Sequence, residues 1–425
     1  MHKKVSVGAL ITAVILAMAL TVSVTMLIAI RYFNTTVSDV TQRQTMQGYL
    51  TDMDKTVRYH YIGTVDEEKL RQALGEGYVK GTGDPYAAYL PAEAYRLSQD
   101  AQKGQQTGFG LEVALSPAGR ITVARVHADS TADKAGLQWG DIVTAVNGSE
   151  VSASDFASVS RTLAQASKVL LSVSRQGQTL AFEISTSTFE TVNAAGQMMG
   201  ENVGYIRLYA IQSNTPVQFR QAYERLEQEG ADRFIFDVRG CREGTPEAVE
   251  ELLDYLAPAG AYARQVDRSG KSVYLSSESD HALIYPAVVL TDADTAGEAE
   301  LFAGVLRELE KAAVVGDVTA GKGWIQEDFG GADGAMIRLS VAERQLIKGG
   351  AIEGVGIQPD EQARLIGQLA LTAPQDDLPL RQALRRVQAM TGKGLATTAP
   401  AVTATTTAGV AVDPTKTVPA PTAAS

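Results

Sequence analysis

Apolar and polar residues follow different patterns in successive parts of the chain. From Val5 to Ile30 no residue is charged, and these 26 residues would span about 39 Å as a helix, enough to cross a bilayer. Between residues 37 and 103 the apolar residues recur at helical spacing, and Thr64 stands where a capped helix would begin. The pattern therefore predicts an N-terminal transmembrane helix followed by a small helical region, or helical cap.

A different pattern begins at Gly104, where short runs rich in β-branched residues alternate with turn residues as far as residue 188. One helical insert, Ser152–Gln165, interrupts these runs. The predicted strands are Leu111–Leu115, Ile121–Val126, Asp141–Val146, Val169–Ser174 and Leu180–Ile184. This part of the chain is predicted to form a compact β-rich domain.

Strands and helices alternate from residue 202 onward. The strands are nearly continuous apolar runs, as expected when helices cover both faces of a parallel sheet. The predicted elements are strand Val203–Leu208, helix Pro216–Gln228, strand Phe234–Val238, helix Glu247–Leu256, strand Ala287–Thr291, helix Ala296–Lys311 and strand Ala312–Val315. The fold class is thus α/β with a β-rich module.

Five regions follow from these patterns. The last is rich in Ala, Thr and Pro and is predicted to be disordered. The regions are a cytoplasmic start and anchor at 1–36, a helical region at 37–103, a β-rich domain at 104–188, an α/β core with a C-terminal helix at 189–393, and the tail at 394–425.

Composition and charge exclude several classes of protein. The 425 residues are 45% hydrophobic and 20% charged, which excludes a wholly disordered or collagen-like chain. The net charge of −11 argues against nucleic acid as a partner. The single cysteine, Cys241, and four scattered histidines predict neither a disulfide nor a metal site, and no cofactor is expected.

The amino-terminal segment has a second interpretation as a cleavable signal peptide, because Ala17-Met-Ala19 is an A-x-A pattern. Apolar residues continue for eleven positions beyond Ala19, which favours an uncleaved anchor. Lys3 and Lys4 would stay in the cytoplasm, although Arg31 on the far side weakens the charge asymmetry. We expect a single-pass membrane protein with the bulk of the chain outside the cytoplasm.

Within the β-rich part, Thr107-Gly-Phe-Gly-Leu-Glu-Val and Ala135-Gly-Leu-Gln-Trp-Gly-Asp-Ile-Val, followed by Val146-Asn-Gly, resemble the carboxylate-binding loop and later signature of a PDZ domain. Glycines allow successive backbone N–H groups to point at one carboxylate. The resemblance implies a binding site for protein carboxyl termini. Its residues are Thr107, Gly108, Phe109, Gly110 and Leu111. Two glycines alone would more often form a β-turn without a ligand.

The order of parts resembles the carboxyl-terminal processing peptidases, serine peptidase family S41, from about Thr56 to Arg386. The matching segments are Gly83-Asp-Pro-Tyr-Ala-Ala-Tyr-Leu, Val203-Gly-Tyr-Ile-Arg-Leu, Phe236-Asp-Val-Arg, Val314-Val-Gly-Asp-Val-Thr-Ala-Gly-Lys-Gly-Trp-Ile-Gln and Gly354-Val-Gly-Ile-Gln-Pro-Asp. The resemblance implies a peptidase-like core to which the PDZ-like domain delivers substrate carboxyl termini.

This family uses a serine nucleophile, a lysine general base and an assisting glutamine. The resemblance places the base at Lys322 and the glutamine at Gln326. A lysine acts as a base when a desolvated pocket keeps it neutral. From its glycine-rich surroundings alone, Lys322 would more often be a solvated residue in a turn.

At the nucleophile position the sequence departs from the family, because the alignment puts Gly297 where the serine belongs. The interval of 25 residues from Gly297 to Lys322 equals the family's own interval. A recruited Thr295 hydroxyl is the alternative, but Thr295-Ala-Gly-Glu298 is an S/T-x-x-E capping box, which predicts that this hydroxyl caps a helix. A further alternative is that Gly297 replaces a serine artificially.

The loop Gly240-Cys-Arg-Glu-Gly-Thr-Pro is one residue shorter than the family's oxyanion loop and leaves Gly244 as its remaining glycine. Cys241 has no histidine near it in sequence, so we interpret it as a packing residue. The segment Gly316-Asp-Val-Thr-Ala-Gly-Lys imitates a phosphate loop, but Gly323 follows where Ser or Thr would bind magnesium, so nucleotide binding is not expected.

These observations predict a membrane-anchored pseudo-peptidase that binds polypeptide carboxyl termini without cleaving them. The alternative is an active serine-type or Thr295-dependent endopeptidase that processes extracytoplasmic proteins. Self-association, or association with an active relative, is compatible with either hypothesis.

Overall fold

The computed structural model describes residues 7–279 and 282–390. Contacts within the chain divide it into two compact units, with the boundary between Tyr78 and Val79. The predicted tail at 394–425 lies outside the described residues, as do the first six residues of the predicted anchor region.

Two helices make up the amino-terminal part, α1 at Val7–His60 and α2 at Glu67–Lys80. Near the end of α1, Arg58 pairs with Asp54 one turn earlier at 2.8 Å and with Glu67 at the start of α2 at 2.5 Å. Within the described part of the chain, no helix combines the length and the apolar character that crossing a membrane requires.

The next elements are a strand, β1 at Ala88–Leu90, and helix α3 at Ala92–Gln102. The region predicted to be helical, 37–103, thus contains this short strand between its helices. β1 pairs in antiparallel register with residues 336–338 of the core. A strand of three residues is too short to show periodicity, and its partner lies far away in sequence.

The β-rich domain has eight strands and two helices. The elements are β2 Gln105–Gly108, β3 Leu111–Leu115, β4 Ile121–Val126, α4 Thr131–Ala135, β5 Ile142–Val146, β6 Ser149–Glu150, α5 Phe156–Gln165, β7 Lys168–Arg175, β8 Gln178–Ser185 and β9 Ser187–Glu190. The main antiparallel sheet has the order β3-β4-β5-β7-β8, while β2 pairs with β9. Its strands follow the predicted runs closely because alternate residues such as Val123, Leu171 and Val173 form the domain's core.

The α/β core contains the remaining strands and helices of the described chain. They are β10 Ala194–Met199, β11 Val203–Leu208, α6 Thr215–Gln228, β12 Arg233–Asp237, α7 Pro246–Leu256, β13 Gly260–Asp267, β14 Ser272–Ser277, β15 Ala287–Thr291, α8 Glu298–Glu308, β16 Ala312–Gly316, β17 Trp324–Gly330, β18 Met336–Leu346, β19 Gly350–Ala351, β20 Glu361–Gln362 and α9 Leu378–Ala389.

The central sheet has the order β10-β11-β12-β15-β16-β20 and is parallel except for β10. Helices α6, α7 and α8 cover one face, where Phe219, Phe236 and Phe302 are fully buried. Helix α9 covers the other face through Leu380, Ala383 and Val387. Burial on both faces explains why these strands are continuous apolar runs.

A second, antiparallel sheet has the order β1-β18-β13-β14, with β17 and β19 also paired to β18. The sequence patterns did not predict this sheet. Most residues of β18 are only half-buried, so neither face of the strand has to be apolar. Its sequence therefore lacks the regular alternation of polar and apolar residues that predicts a strand. The sheet matters for the site because β17 begins two residues after Lys322.

A buried ionic network joins the central sheet to α9. The fully buried guanidinium of Arg239 forms paired hydrogen bonds with Asp237 at the end of β12 and with Asp377, which caps α9. Tyr205 also donates to Asp237 at 2.6 Å. Although burial acts in the opposite direction, Arg239 lowers the pKa of the Asp237 carboxyl to about 2.

Candidate active site

The turn between β15 and α8 has an unusual backbone at Gly297. This residue immediately precedes the helix with φ +64° and ψ −116°, a conformation that is strained for any residue with a side chain. A Cβ built on Gly297 would meet no atom closer than 3.9 Å, and that atom is Cδ of Lys322. The turn thus presents residue 297 to the lysine across open space, as a strand-to-helix nucleophile elbow does.

The buried carboxylate of Glu300 joins this turn to the loop that carries Lys322. One oxygen accepts hydrogen bonds from the Thr319 hydroxyl at 2.5 Å and from the Gly321 N–H at 2.7 Å. The other accepts from the Gly297 N–H at 2.9 Å and the Lys322 N–H at 2.7 Å. Glu300 therefore sets the position of the lysine relative to Gly297, a role that the sequence analysis did not assign.

The same hydrogen bonds also occupy backbone N–H groups of the apparent phosphate loop. The N–H groups of Gly321 and Lys322, which a phosphate would need, already donate to a carboxylate of the chain itself. These two donors are therefore engaged within the chain. That the segment does not bind nucleotide stays a prediction.

Lys322 is half-buried, and burial lowers the pKa of its amine below the usual value. Within the described residues its Nζ has no hydrogen-bond or ion-pair partner, and it lies 5.2 Å from the ring centroid of Tyr86. The Tyr86 hydroxyl donates to Glu353 at 3.1 Å, and burial together with Glu353 raises the pKa of Tyr86 to about 12. At neutral pH the Tyr86 ring is therefore uncharged, and its face lies near the lysine amine.

Gln326 lies on β17, but its amide does not bond to Lys322 in the described structure. Its Nε2 donates to the Trp324 carbonyl at 2.7 Å and lies 3.3 Å from the Ser340 hydroxyl. Ser340 in turn donates to Asp84 at 3.0 Å. The glutamine is thus part of a chain of polar groups that runs from β17 to the segment before β1.

Thr295 does not cap α8, so that prediction is wrong. The helix begins at Glu298, and the carboxylate that bonds back to the cap N–H belongs to Glu300. The hydroxyl of Thr295 is fully buried, lies 3.0 Å from the Val238 carbonyl and from Asp292 Oδ1, and accepts the Asp292 N–H. The positive φ at Gly297 starts the helix later than the sequence motif indicates. The Thr295 hydroxyl is thus bonded to Val238 and Asp292 and not to Lys322.

The loop after β12 brings Gly244 beside the start of α8. Gly244 forms an isolated parallel bridge with Ile211, and its own N–H has no acceptor among the described residues. Cys241 in the same loop is buried, and burial raises the pKa of its thiol to about 12. A thiol of this kind is inert at neutral pH, in line with its interpretation as a packing residue.

The predicted peptide-binding residues lie where β2 passes into β3. Thr107 and Gly108 belong to β2, and the Thr107 hydroxyl bonds to that of Thr188 at 2.9 Å. The carbonyls of Phe109 and Gly110 accept hydrogen bonds from later backbone N–H groups, while in the described chain the N–H groups of these two residues have no acceptor. These donors can therefore meet a carboxylate.

Leu111 begins β3, which forms the edge of its sheet and has no second strand partner among the described residues. Helix α5 packs near this edge. An edge strand beside a helix can accept an extended peptide as an additional strand. No group of three or more His, Cys, Asp or Glu residues in the described chain could hold a metal ion.

Comparisons with known proteins agree with both resemblances. Residues 202–363 match peptidase family S41, and residues 122–175 match the PDZ domain. The carboxy-terminal processing protease CtpB of Bacillus subtilis is 30% identical over 307 residues, which are 70% of this chain but only 64% of that protein, slightly under two thirds. The carboxyl-terminal-processing protease of Synechocystis sp. is 30% identical over 304 residues, which cover 69% of this chain and 71% of the relative.

A solved structure shares the fold. An S41 protease of Bacteroides fragilis superposes with a TM-score of 0.53 over 74% of this chain and 90% of its own, at 17% identity. The predicted combination of a PDZ domain with an S41-type α/β fold is thereby confirmed.

Proposed function

The chain belongs to the S41 peptidase family, and on that basis we propose that it binds carboxyl termini of proteins through its PDZ domain without hydrolysing them. The observation that carries the proposal is Gly297. It occupies the turn that faces Lys322, and it has no side chain to attack a peptide bond. A lysine base can only activate a nucleophile that is present.

The Thr295-dependent endopeptidase has less support. A recruited hydroxyl would have to donate its proton to the Lys322 amine at about 2.6–3.2 Å. The Thr295 hydroxyl is instead fully buried and engaged with Val238 and Asp292. To attack a substrate it would have to break these bonds and leave the protein interior.

Incubation of the full chain with an unfolded protein that ends in apolar residues tests the proposal. We expect binding that weakens when the carboxyl terminus is amidated, and no cleavage products in a mass spectrum. Turnover that disappears in Lys322→Ala, but persists in the control Lys80→Ala at an exposed lysine of α2, would overturn the proposal. An acyl-enzyme adduct on any hydroxyl would overturn it as well.

The proposal also includes a membrane anchor, with the bulk of the chain outside the cytoplasm. It is supported by the uncharged stretch from Val5 to Ile30 after Lys3 and Lys4. Carbonate extraction should leave the full chain in the membrane fraction, and protease added from outside should digest the part beyond residue 31. Release by carbonate, or an amino terminus created after Ala19, would contradict this part of the proposal.

Purification of the detergent-solubilised protein would recover whatever partner it binds. That partner is a bound polypeptide, a second copy of the chain or an active relative. Mass spectrometry of the co-purified chains identifies the partner by sequence. Loss of a partner on amidation of its carboxyl terminus would assign that contact to the PDZ domain. Contact that survives amidation would assign it to another surface.

A further inference from the structure

Glu298, the first residue of α8, fills the space beside the vacant nucleophile position. A Cβ built on Gly244 would lie 2.6 Å from Glu298 Cγ and 2.7 Å from its Cβ. Distances this short mean that the Glu298 methylene groups pack directly on the Gly244 backbone. Glu298 thus occupies the gap between the start of α8 and the loop after β12.

An ion pair holds this side chain in place. The Glu298 carboxylate bonds to the guanidinium of Arg344 on β18, and their side chains are 12% and 4% exposed. Two other guanidinium nitrogens of Arg344 are buried without a hydrogen-bond partner in the described chain. Because Arg344 has no other carboxylate bonded to it there, displacing Glu298 would leave a buried charge unpaired, which is strongly unfavourable.

Acyl transfer at residue 297 would need N–H donors aimed at the oxygen that becomes negatively charged. Two sets of backbone donors near this turn have no acceptor in the described residues: the N–H groups of Glu298 and Ala299 at the start of α8, and the N–H of Gly244. The Glu298 methylene groups pack against Gly244. A substrate carbonyl held by the Gly244 N–H would therefore have to share this space with them, and it would develop its negative charge near a carboxylate whose counter-ion is Arg344.

We propose that Glu298 closes the oxyanion position and is a second block to catalysis, independent of the missing hydroxyl. This inference rests on the proposed function of the chain as a non-hydrolysing S41 protein. It has one direct consequence. A serine introduced at residue 297 stays unreactive until the side chain at 298 is also shortened.

The test compares full-length Gly297→Ser with the double variant Gly297→Ser/Glu298→Ala, using a fluorophosphonate probe. In a competent site the serine oxygen bonds to phosphorus as fluoride leaves, and Lys322 takes the hydroxyl proton. We expect the double variant to be labelled at least tenfold faster than Gly297→Ser. Gly297→Ser/Glu224→Ala removes an exposed carboxylate of α6 instead and should behave like Gly297→Ser.

Glu298→Ala leaves the buried Arg344 guanidinium without its counter-ion and could prevent folding. The variant Gly297→Ser/Glu298→Ala/Arg344→Met removes both charges and therefore serves as a second test that does not leave a buried charge unpaired. Labelling of Gly297→Ser at the rate of the double variant would overturn the inference. Failure of both multiple variants to be labelled, while circular dichroism shows them folded, would also overturn it and would assign the block to the shortened loop. Labelling or turnover by the natural chain, abolished in Lys322→Ala, would instead refute the proposed function.

Discussion

The backbone at Gly297 predicts a measurable cost for restoring any side chain there. Residues with a Cβ rarely adopt φ +64° with ψ −116°. Holding a non-glycine residue in such a region costs about 1–3 kcal/mol. The steric contribution is small, since a Cβ would have no neighbour closer than 3.9 Å. We therefore expect Gly297→Ala and Gly297→Ser each to lower the free energy of unfolding by about 1–3 kcal/mol.

Denaturant unfolding of the full chain, followed by tryptophan fluorescence, measures this loss, because Trp324 lies two residues from Lys322. The corresponding shift in melting temperature is about 2–4 °C per kcal/mol for a domain of this size. Gly330→Ala is the matched control, since Gly330 also has open space around it but no positive φ. That variant should stay within about 1 kcal/mol of the natural chain.

Equal stability of Gly297→Ala and Gly330→Ala would refute the reasoning, because it would mean that the turn relaxes without cost. A confirmed difference would have a functional meaning. It would show that a side chain at residue 297 is held with strain, whereas glycine allows the same turn without it.

Three further predictions concern other parts of the molecule. Burial lowers the pKa of Lys322, so the charged amine destabilises the folded state. Lys322→Met should therefore be more stable than the natural chain at neutral pH. In unfolding titrations at a series of pH values, this difference in stability should shrink as the pH rises towards 10.5, where the amine is neutral in the folded state. A pH-independent difference would contradict this. Asp377→Asn removes one of the two carboxylates that pair with the buried Arg239 guanidinium, while Asp237 remains paired with it. We expect a cost of about 1–3 kcal/mol in urea unfolding, and an unchanged free energy of unfolding would contradict this. Gly110→Ala places a Cβ 2.0 Å from Ser130 Cβ, so the loop has to move. We expect this variant to lose binding of a peptide carboxyl terminus in a fluorescence-anisotropy titration. Undiminished binding would exclude this loop from the site.

The candidate site places a half-buried lysine opposite a turn that carries no side chain. Glu300 ties this turn to the lysine loop, and the Tyr86 ring lies 5.2 Å from the amine. Residue 297 has no hydroxyl, and the Glu298 methylene groups pack on Gly244. Under the proposed function, this is a general-base site without a nucleophile at residue 297.

Local sequence was sufficient where burial imposes a simple pattern. Val203–Leu208 and Ala287–Thr291 form strands with the predicted bounds, because a strand buried on both faces must be apolar throughout. The family motifs assign Lys322 and Gly297 to a catalytic site by their interval along the chain, and this assignment stays a prediction. Each of these conclusions depends on residues that are near one another in sequence.

The rest depends on contacts between distant residues. β18 is half-buried and follows no regular period, so its sheet emerges only when β1, β13 and β17 pair with it. The start of α8 is decided by the positive φ of Gly297, which no capping motif reveals. Glu298 contacts Gly244, which is 54 residues earlier in the sequence, and Arg344, which is 46 residues later. Only packing of the folded core brings these three residues together.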